Sequence, residues 1–155
     1  MRSYLKVQWG AFAVAFGGYL YLHSASSWIR PLHHIATALI MAAALALVLV
    51  SIRAQNWLAA KLYALFFVGM HVREWIFLHK QGIGLAHAPW GNSLFGLTYY
   101  GLTSFTLLGA IVGMFLLFKE NSKTEAQMLW KHTAALWVFL IPTLYFWNIG
   151  NIGWF

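Results

Sequence analysis

Histidines are the residues of this sequence best suited to chemistry, and there are seven of them. A neutral imidazole binds haem iron and metal ions well, so His33 or His34 opposite His71 could hold a b-type haem between two helices. The alternative is that the rings pack at a membrane interface while their polar tips reach water. No pair has the His-x-x-x-His spacing of a helical zinc site. The spacing therefore predicts no metal site.

Glu74 is the acidic residue that lies near a long apolar stretch. An ionisable group at membrane depth is costly and is a functional hypothesis by default. His71 lies three residues earlier and can share its helical face, although two such groups make a weak metal site. We interpret Glu74 as a structural polar contact, with a proton-linked role as the alternative.

Catalytic motifs are absent from the sequence. It contains no nucleophile triad, phosphate-binding loop or nucleotide-binding fingerprint. Its acidic residues are Glu74, Glu120 and Glu125, which are too far apart to form a two-carboxylate motif, and it has no cysteine. We therefore predict no catalytic residue and no cofactor bound by this chain.

The elements that would position these side chains are membrane helices. Of 155 residues, 61% are apolar and 8% charged, against about 25% charged in soluble domains. A spanning helix needs about 20 mostly apolar residues. Five stretches qualify, and their connections are short, which predicts an all-α polytopic protein with one domain, 1–155. The predicted spans are 4–23, 32–51, 58–78, 94–118 and 130–147.

Basic residues predict the orientation of these spans, because short cytoplasmic loops are enriched in Lys and Arg. Most of the ten Lys and Arg fall on the side of the N-terminus. They predict an N-in, C-out, multi-pass protein with its N-terminus in the cytoplasm or the matrix. We expect the membrane to be the bacterial cytoplasmic (inner) membrane. The net charge of +7 indicates contact with anionic lipid. Nucleic acid is not an expected partner, since the basic residues are dispersed.

Small residues in the fourth span predict close helix packing. Gly109 and Gly113 form a small-x-x-x-small face, which lets another helix approach closely. Packing within the chain is favoured over dimerisation.

Three segments carry a family resemblance. Residues 54–75 contain an amphipathic turn and a helix that ends in the Glu-and-aromatic cluster REW, followed by a Gly-rich loop. Residues 95–113 read FGLTYYGLTSFTLLGAIVG, and residues 130–140 read WKHTAALWVFL, with an aromatic end at 145–147. In these segments the chain resembles subunit III of the haem–copper oxidases, the cytochrome c and quinol oxidases, in a reduced, divergent five-helix form.

The chain also departs from that family. Thr106 and Gly109 stand where the family has His-x-x-His, and Lys131 and Ala134 stand where it has His and Asp. The family's glutamate in the helix that corresponds to the first span is absent. These losses leave lipid and subunit contact as the better retained family roles.

The resemblance implies a non-catalytic accessory subunit of a respiratory terminal oxidase, in the electron-transport chain of aerobic respiration. Such a subunit packs against catalytic subunit I in a complex that also holds subunit II, and it binds phospholipid. Haem and copper are then expected in the partner subunits of this proton-translocating enzyme. Because Arg forks suit phosphate, we expect Lys61, His71 and Arg73 to bind lipid phosphate.

Two alternatives remain open. One is a subunit III-like accessory protein of a nitric oxide reductase or another respiratory complex. The other is a small b-haem membrane electron carrier that uses His33 or His34 with His71.

Overall fold

The computed structural model of the protein describes residues 2–25, 35–88, 91–92, 95–142 and 144, and most of them lie in five α-helices. A 3-10 turn, Glu120–Ser122, precedes the last helix, and a minimal antiparallel pair, His87–Ala88 with Gly91–Asn92, lies in the connection before the fourth. The all-α prediction is confirmed for these residues. The five helices are α1 Arg2–Ala25, α2 Ile35–Arg53, α3 Trp57–Lys80, α4 Phe95–Phe118 and α5 Lys123–Ile141.

Helix α5 differs most from its predicted bounds. The predicted spans 94–118 and 130–147 leave residues 119–129 as a connection. In the structure, α5 begins at Lys123 and ends at Ile141, the residue before Pro142. The apolar pattern starts at Trp130, but the first turns of a helix can be polar. The negative charge of Glu125 in the first turn of α5 interacts favourably with the positive end of the helix dipole, which favours a helix that begins before the apolar pattern. Of the predicted spans, residues 32–34, 94, 143 and 145–147 lie outside the described residues.

A short turn joins α2 to α3, and α3 has a defined cap at each end. The Oδ1 atom of Asn56 accepts a hydrogen bond from the backbone N–H of Ala59 at 3.1 Å, which caps the N-terminus of α3. Gln55 before it has a positive φ of 57°. At the other end, Gly82 adopts a φ of 81°, a left-handed conformation that favours glycine after a helix.

Aromatic side chains fill the centre of the bundle. The ring of Phe67 on α3 lies 5.9 Å from that of Trp130 and 5.8 Å from that of Trp137, both on α5. Helix α2 packs mainly on α3, and α4 mainly on α5, while α1 contacts α4. Because Trp130 and Trp137 are two turns apart, α5 presents one aromatic face to the interior.

Helix α2 is apolar on both its buried and its exposed faces. The buried stripe follows a three-four spacing, as expected of a packed helix, and comprises Ala38, Met41, Leu45, Val48 and Ile52. The opposite face is exposed and equally apolar, with Leu39, Ile40, Leu47 and Val50. Exposing such an apolar surface to water is unfavourable, whereas contact with the hydrocarbon of a membrane is favourable.

Candidate functional site

Helix α3 buries two polar residues in the bundle and exposes several large apolar residues. His71 is fully buried and Glu74 is 3% exposed, in a stripe completed by Ala60, Ala64, Phe67 and Leu78. Leu58, Leu62 and Ile76 on the outer face are more than half exposed. A helix on the surface of a soluble protein has the reverse arrangement. The structure thus assigns His71 and Glu74, predicted to share a face, to the interior.

Aromatic rings surround His71. Its ring centroid lies 5.4 Å from that of Trp137, 5.8 Å from that of Phe67 and 6.1 Å from that of Trp75. Neither ring nitrogen has a hydrogen-bond partner among the residues described. His71 therefore makes its contacts through the faces and edges of the ring.

Donor sets for a metal do not occur in the part of the chain that the structure covers. No group of three or more His, Cys, Asp or Glu side chains there is close enough to hold an ion. His33 and His34, the predicted partners of His71 in a haem site, lie outside the described residues.

A short chain of hydrogen bonds connects α3 with α4. The indole Nε1 of Trp75 donates to Oγ1 of Thr103 at 3.0 Å, and that hydroxyl donates to the backbone carbonyl of Tyr99 at 2.7 Å. Thr106 donates to the carbonyl of Thr103 at 2.7 Å. Threonine can satisfy its hydroxyl on its own helix in this way, so these groups are buried without loss of their hydrogen bonds.

The predicted packing glycines of α4 face α5 and α1. A Cβ atom on Gly109 would lie 2.8 Å from Oγ1 of Thr133 and 3.3 Å from Nε2 of Gln8. A Cβ on Gly113 would lie 2.9 Å from Nε1 of Trp130. Gln8 is itself held by α4, because its Nε2 donates to the carbonyl of Phe105 at 2.8 Å. The two glycines thus lie at close approaches within the chain.

The three residues expected to bind lipid phosphate are separated in the structure. Lys61 lies near the start of α3, where its Nζ is 5.0 Å from the ring centroid of Phe118. Arg73 is exposed twelve residues later, which places it about 18 Å along the helix axis. His71 points into the interior. The three residues therefore lie at separate places, and lipid binding by each of them stays a prediction.

An open groove near the end of α3 was not predicted from the sequence. Its volume is about 360 Å³, and it is lined by Trp75, Ile76, His79, Lys80 and Tyr100. The first four residues recur at i, i+1, i+4 and i+5, so they share one helix face. That spacing, with aromatic and basic side chains at a helix end, is the signal that could have indicated the groove.

Comparison with known proteins does not assign the chain to a family. No family model matches the chain, and no curated protein matches it in sequence.

Two of the described helices are long and apolar enough to cross a membrane. They are Ala36–Arg53, with a mean hydropathy of 2.2, and Tyr99–Phe118, with 2.0. A core helix of a soluble protein could pass the same test, but it would be mostly buried, whereas 39% and 44% of these two windows are buried. Length, composition and exposure together favour a membrane-associated protein.

Proposed function

We propose that this chain is a non-catalytic, subunit III-like component of a respiratory haem–copper terminal oxidase in the bacterial cytoplasmic membrane. It would cross the membrane five times with its N-terminus inside, stabilise the catalytic subunit and bind lipid. The observation that carries the membrane part of this proposal is that α3 buries His71 and Glu74 while it exposes the apolar residues Leu58, Leu62 and Ile76. Polar residues of membrane helices face the bundle interior.

The charges at the two ends of the bundle support the orientation. Lys61 packs over Phe118, and Lys123 packs over the ring of Trp57 at 4.9 Å, so cations of α3 and α5 gather at one end with the exposed Lys119. The other end of α3 carries His79 and Lys80. The end with more Lys and Arg would be cytoplasmic.

The oxidase part of the proposal rests on the resemblance to subunit III in the segments 54–75, 95–113 and 130–140. Haem and copper would belong to partner subunits I and II. This chain would contribute apolar surface for a partner and for phospholipid. The packing of α4 on α5 through Gly109 and Gly113 would then serve to hold a stable bundle rather than to carry chemistry.

Affinity purification tests the assembly. The chain would be tagged, extracted in mild detergent, and its partners identified and quantified by mass spectrometry. We expect a haem–copper catalytic subunit at equal stoichiometry, with subunit II. A tagged multi-pass protein unrelated to respiration serves as the control. Recovery of a nitric oxide reductase subunit would support the accessory alternative, and recovery of no respiratory subunit would overturn both.

A b-haem electron carrier remains a second candidate because the ring nitrogens of His71 have no hydrogen-bond partner within the described ranges. His33 or His34 would supply the other ligand. A Soret band in the purified chain that is lost in His71→Phe would favour this candidate. Phenylalanine keeps an aromatic ring of similar shape, so the bundle should survive the change and loss of the band would report ligation.

A further inference from the structure

We propose that the outer face of α3 packs against a membrane helix of a different chain, and that this helix carries an Asp or Glu whose carboxylate pairs with Arg73. The proposal rests on the membrane location proposed above and not on the oxidase assignment. It gives Arg73 a protein carboxylate as its partner, in place of the lipid phosphate expected from the sequence.

One stripe of exposed residues on α3 has the spacing of a helix-packing seam. Its members recur at alternating steps of four and three residues, the heptad pattern that turns one side of a helix toward a partner helix. We call this stripe the α3 seam, and it comprises Leu62, Phe66, Gly69, Arg73, Ile76 and Lys80. All six are exposed, and the exposed fractions of Leu62, Phe66 and Ile76 are 59%, 49% and 51%.

The middle of the α3 seam is open to close approach. A Cβ atom on Gly69 would meet nothing within 4 Å, so no neighbouring helix of this chain covers the glycine in the described structure. Small residues in membrane helices let the backbone of a second helix come near. A helix that approaches at Gly69 would lie one turn from Arg73.

Arg73 carries its charge within the apolar part of the seam. Helix α3 has 24 residues, so it is about 36 Å long and Arg73 lies about 7 Å along the axis from its midpoint. A hydrocarbon core of about 30 Å would enclose that position. Charged residues within membrane segments are costly and pair with other charged groups. Phe66 and Ile76 on either side supply no such group.

The acidic residues of this chain lie elsewhere, and there are three of them. Glu74 is 3% exposed and projects about 100° around the helix from Arg73. Glu120 and Glu125 flank Lys123, whose Nζ packs over the first residue of α3, about 24 Å along the axis from Arg73. The opposite charge for Arg73 therefore has to come from another chain.

A second copy of this chain does not fit the α3 seam. Copies in one membrane share their orientation, so a two-fold pair through this seam would be parallel and would set the same residues against each other. Arg73 would then face Arg73, and like charges in contact at an interface are strongly unfavourable. The occupant is therefore a helix of different sequence, apolar along the seam and acidic at the level of Arg73.

Photocrosslinking in intact cells tests the α3 seam. Benzoylphenylalanine would replace Phe66, which lies on the seam two turns before Arg73. The same crosslinker at Phe139 is the matched control, because Phe139 is also 49% exposed but lies on α5 beside α1. We expect position 66 to crosslink to a membrane helix of another chain, with an Asp or Glu about two turns from the attachment point. Position 139 should give no crosslink to that part of the helix.

Charge exchange tests the ion pair. Arg73→Glu should lower the crosslink yield at position 66 by at least about tenfold, because two carboxylates would then face each other. Changing the acidic residue of the partner helix to Arg should restore the yield in the Arg73→Glu chain, which a misfolded variant would not allow. Arg53→Glu, the same change at the exposed end of α2, should leave the yield unchanged.

Crosslinks from position 66 to lipid alone, or to a second copy of this chain, would overturn the proposal. An unchanged yield in Arg73→Glu would do the same, as would exchanged charges that fail to restore it. Alkaline carbonate extraction separates these results from the membrane proposal. An integral chain with any of them would lose the α3 seam and keep its membrane location, whereas a chain released by carbonate would overturn both proposals.

Discussion

His71 shows how a residue that can do chemistry is used when it is buried among rings. Its nitrogens have no hydrogen-bond partner in the described part of the chain, and Phe67, Trp75 and Trp137 pack against its ring. A neutral imidazole in this position acts as a packing group with a polar edge. We therefore expect the stability of the bundle to depend on the shape and charge of the side chain at position 71, and not on its ability to bind a ligand.

We expect His71→Phe to leave the stability of the bundle nearly unchanged, because the new ring keeps the aromatic contacts. His71→Lys should destabilise it by about 3 kcal/mol, the order of the cost of a cation at the centre of a membrane helix. Denaturation of the purified chain in mixed micelles measures both changes. A stable lysine variant would contradict the buried, apolar setting of residue 71.

Thr103 supports a second prediction, because it links α3 and α4 as the acceptor for Trp75. Thr103→Val keeps the side-chain shape and leaves the indole N–H without that partner. The loss should be about 0.6 kcal/mol, since hydrogen bonds between membrane helices average that much. Thermal unfolding in detergent measures it, with Thr124→Val on the exposed start of α5 as the control. Equal midpoints for the two variants would show that the bond contributes nothing.

Among the elements, α4 packs against three of the other helices. It contacts α1, α3 and α5. At Gly109 and Gly113, neighbouring helices approach so closely that a Cβ atom would not fit without a shift. The glycines of α4 thus differ in their packing, because they lie on different faces of the helix. Gly109 lies against α5 and α1, whereas a Cβ on Gly101 would meet nothing within 4 Å.

This difference gives a matched pair of substitutions in one helix. Gly109→Ala should destabilise the bundle by about 1–3 kcal/mol, as overpacking does, because the new methyl group would lie 2.8 Å from Thr133 Oγ1. Gly101→Ala should be neutral, or stabilising by up to about 1 kcal/mol through helix propensity. Unfolding midpoints of the two variants check this. Loss of stability in both would mean that α4 needs glycine for its backbone rather than for packing.

For the whole molecule, the proposed N-in, C-out orientation can be tested directly. The chain has no cysteine, so single cysteines report the side of each connection. Gln81→Cys should react with a membrane-impermeant maleimide in intact cells. Ala54→Cys and Lys119→Cys should react only after permeabilisation, because their ends of the bundle carry more Lys and Arg. The reverse pattern would invert the topology, and labelling of all three in intact cells would contradict five spans.

Much of the fold could be predicted from the sequence because composition and periodicity act locally. The lengths of α2 and α4 follow from their uninterrupted apolar runs, and the three-residue spacing of His71 and Glu74 puts both on one face. The start of α5 at Lys123 could not be found in this way, since hydrophobicity marks what a helix buries and not where its backbone begins. Two of the five predicted spans meet the length and apolarity criterion within the described residues.

The site was predictable only in part. The sequence by itself determined the helices, the apolar stretches, and the face of α3 that His71 and Glu74 share. Tertiary structure alone decided that Trp137, sixty-six positions after His71, would pack on that ring, and that Tyr100 of α4 would complete a groove with Trp75 and Lys80 of α3. Helix periodicity specifies which residues share a face, whereas the partner of that face depends on how distant helices pack together.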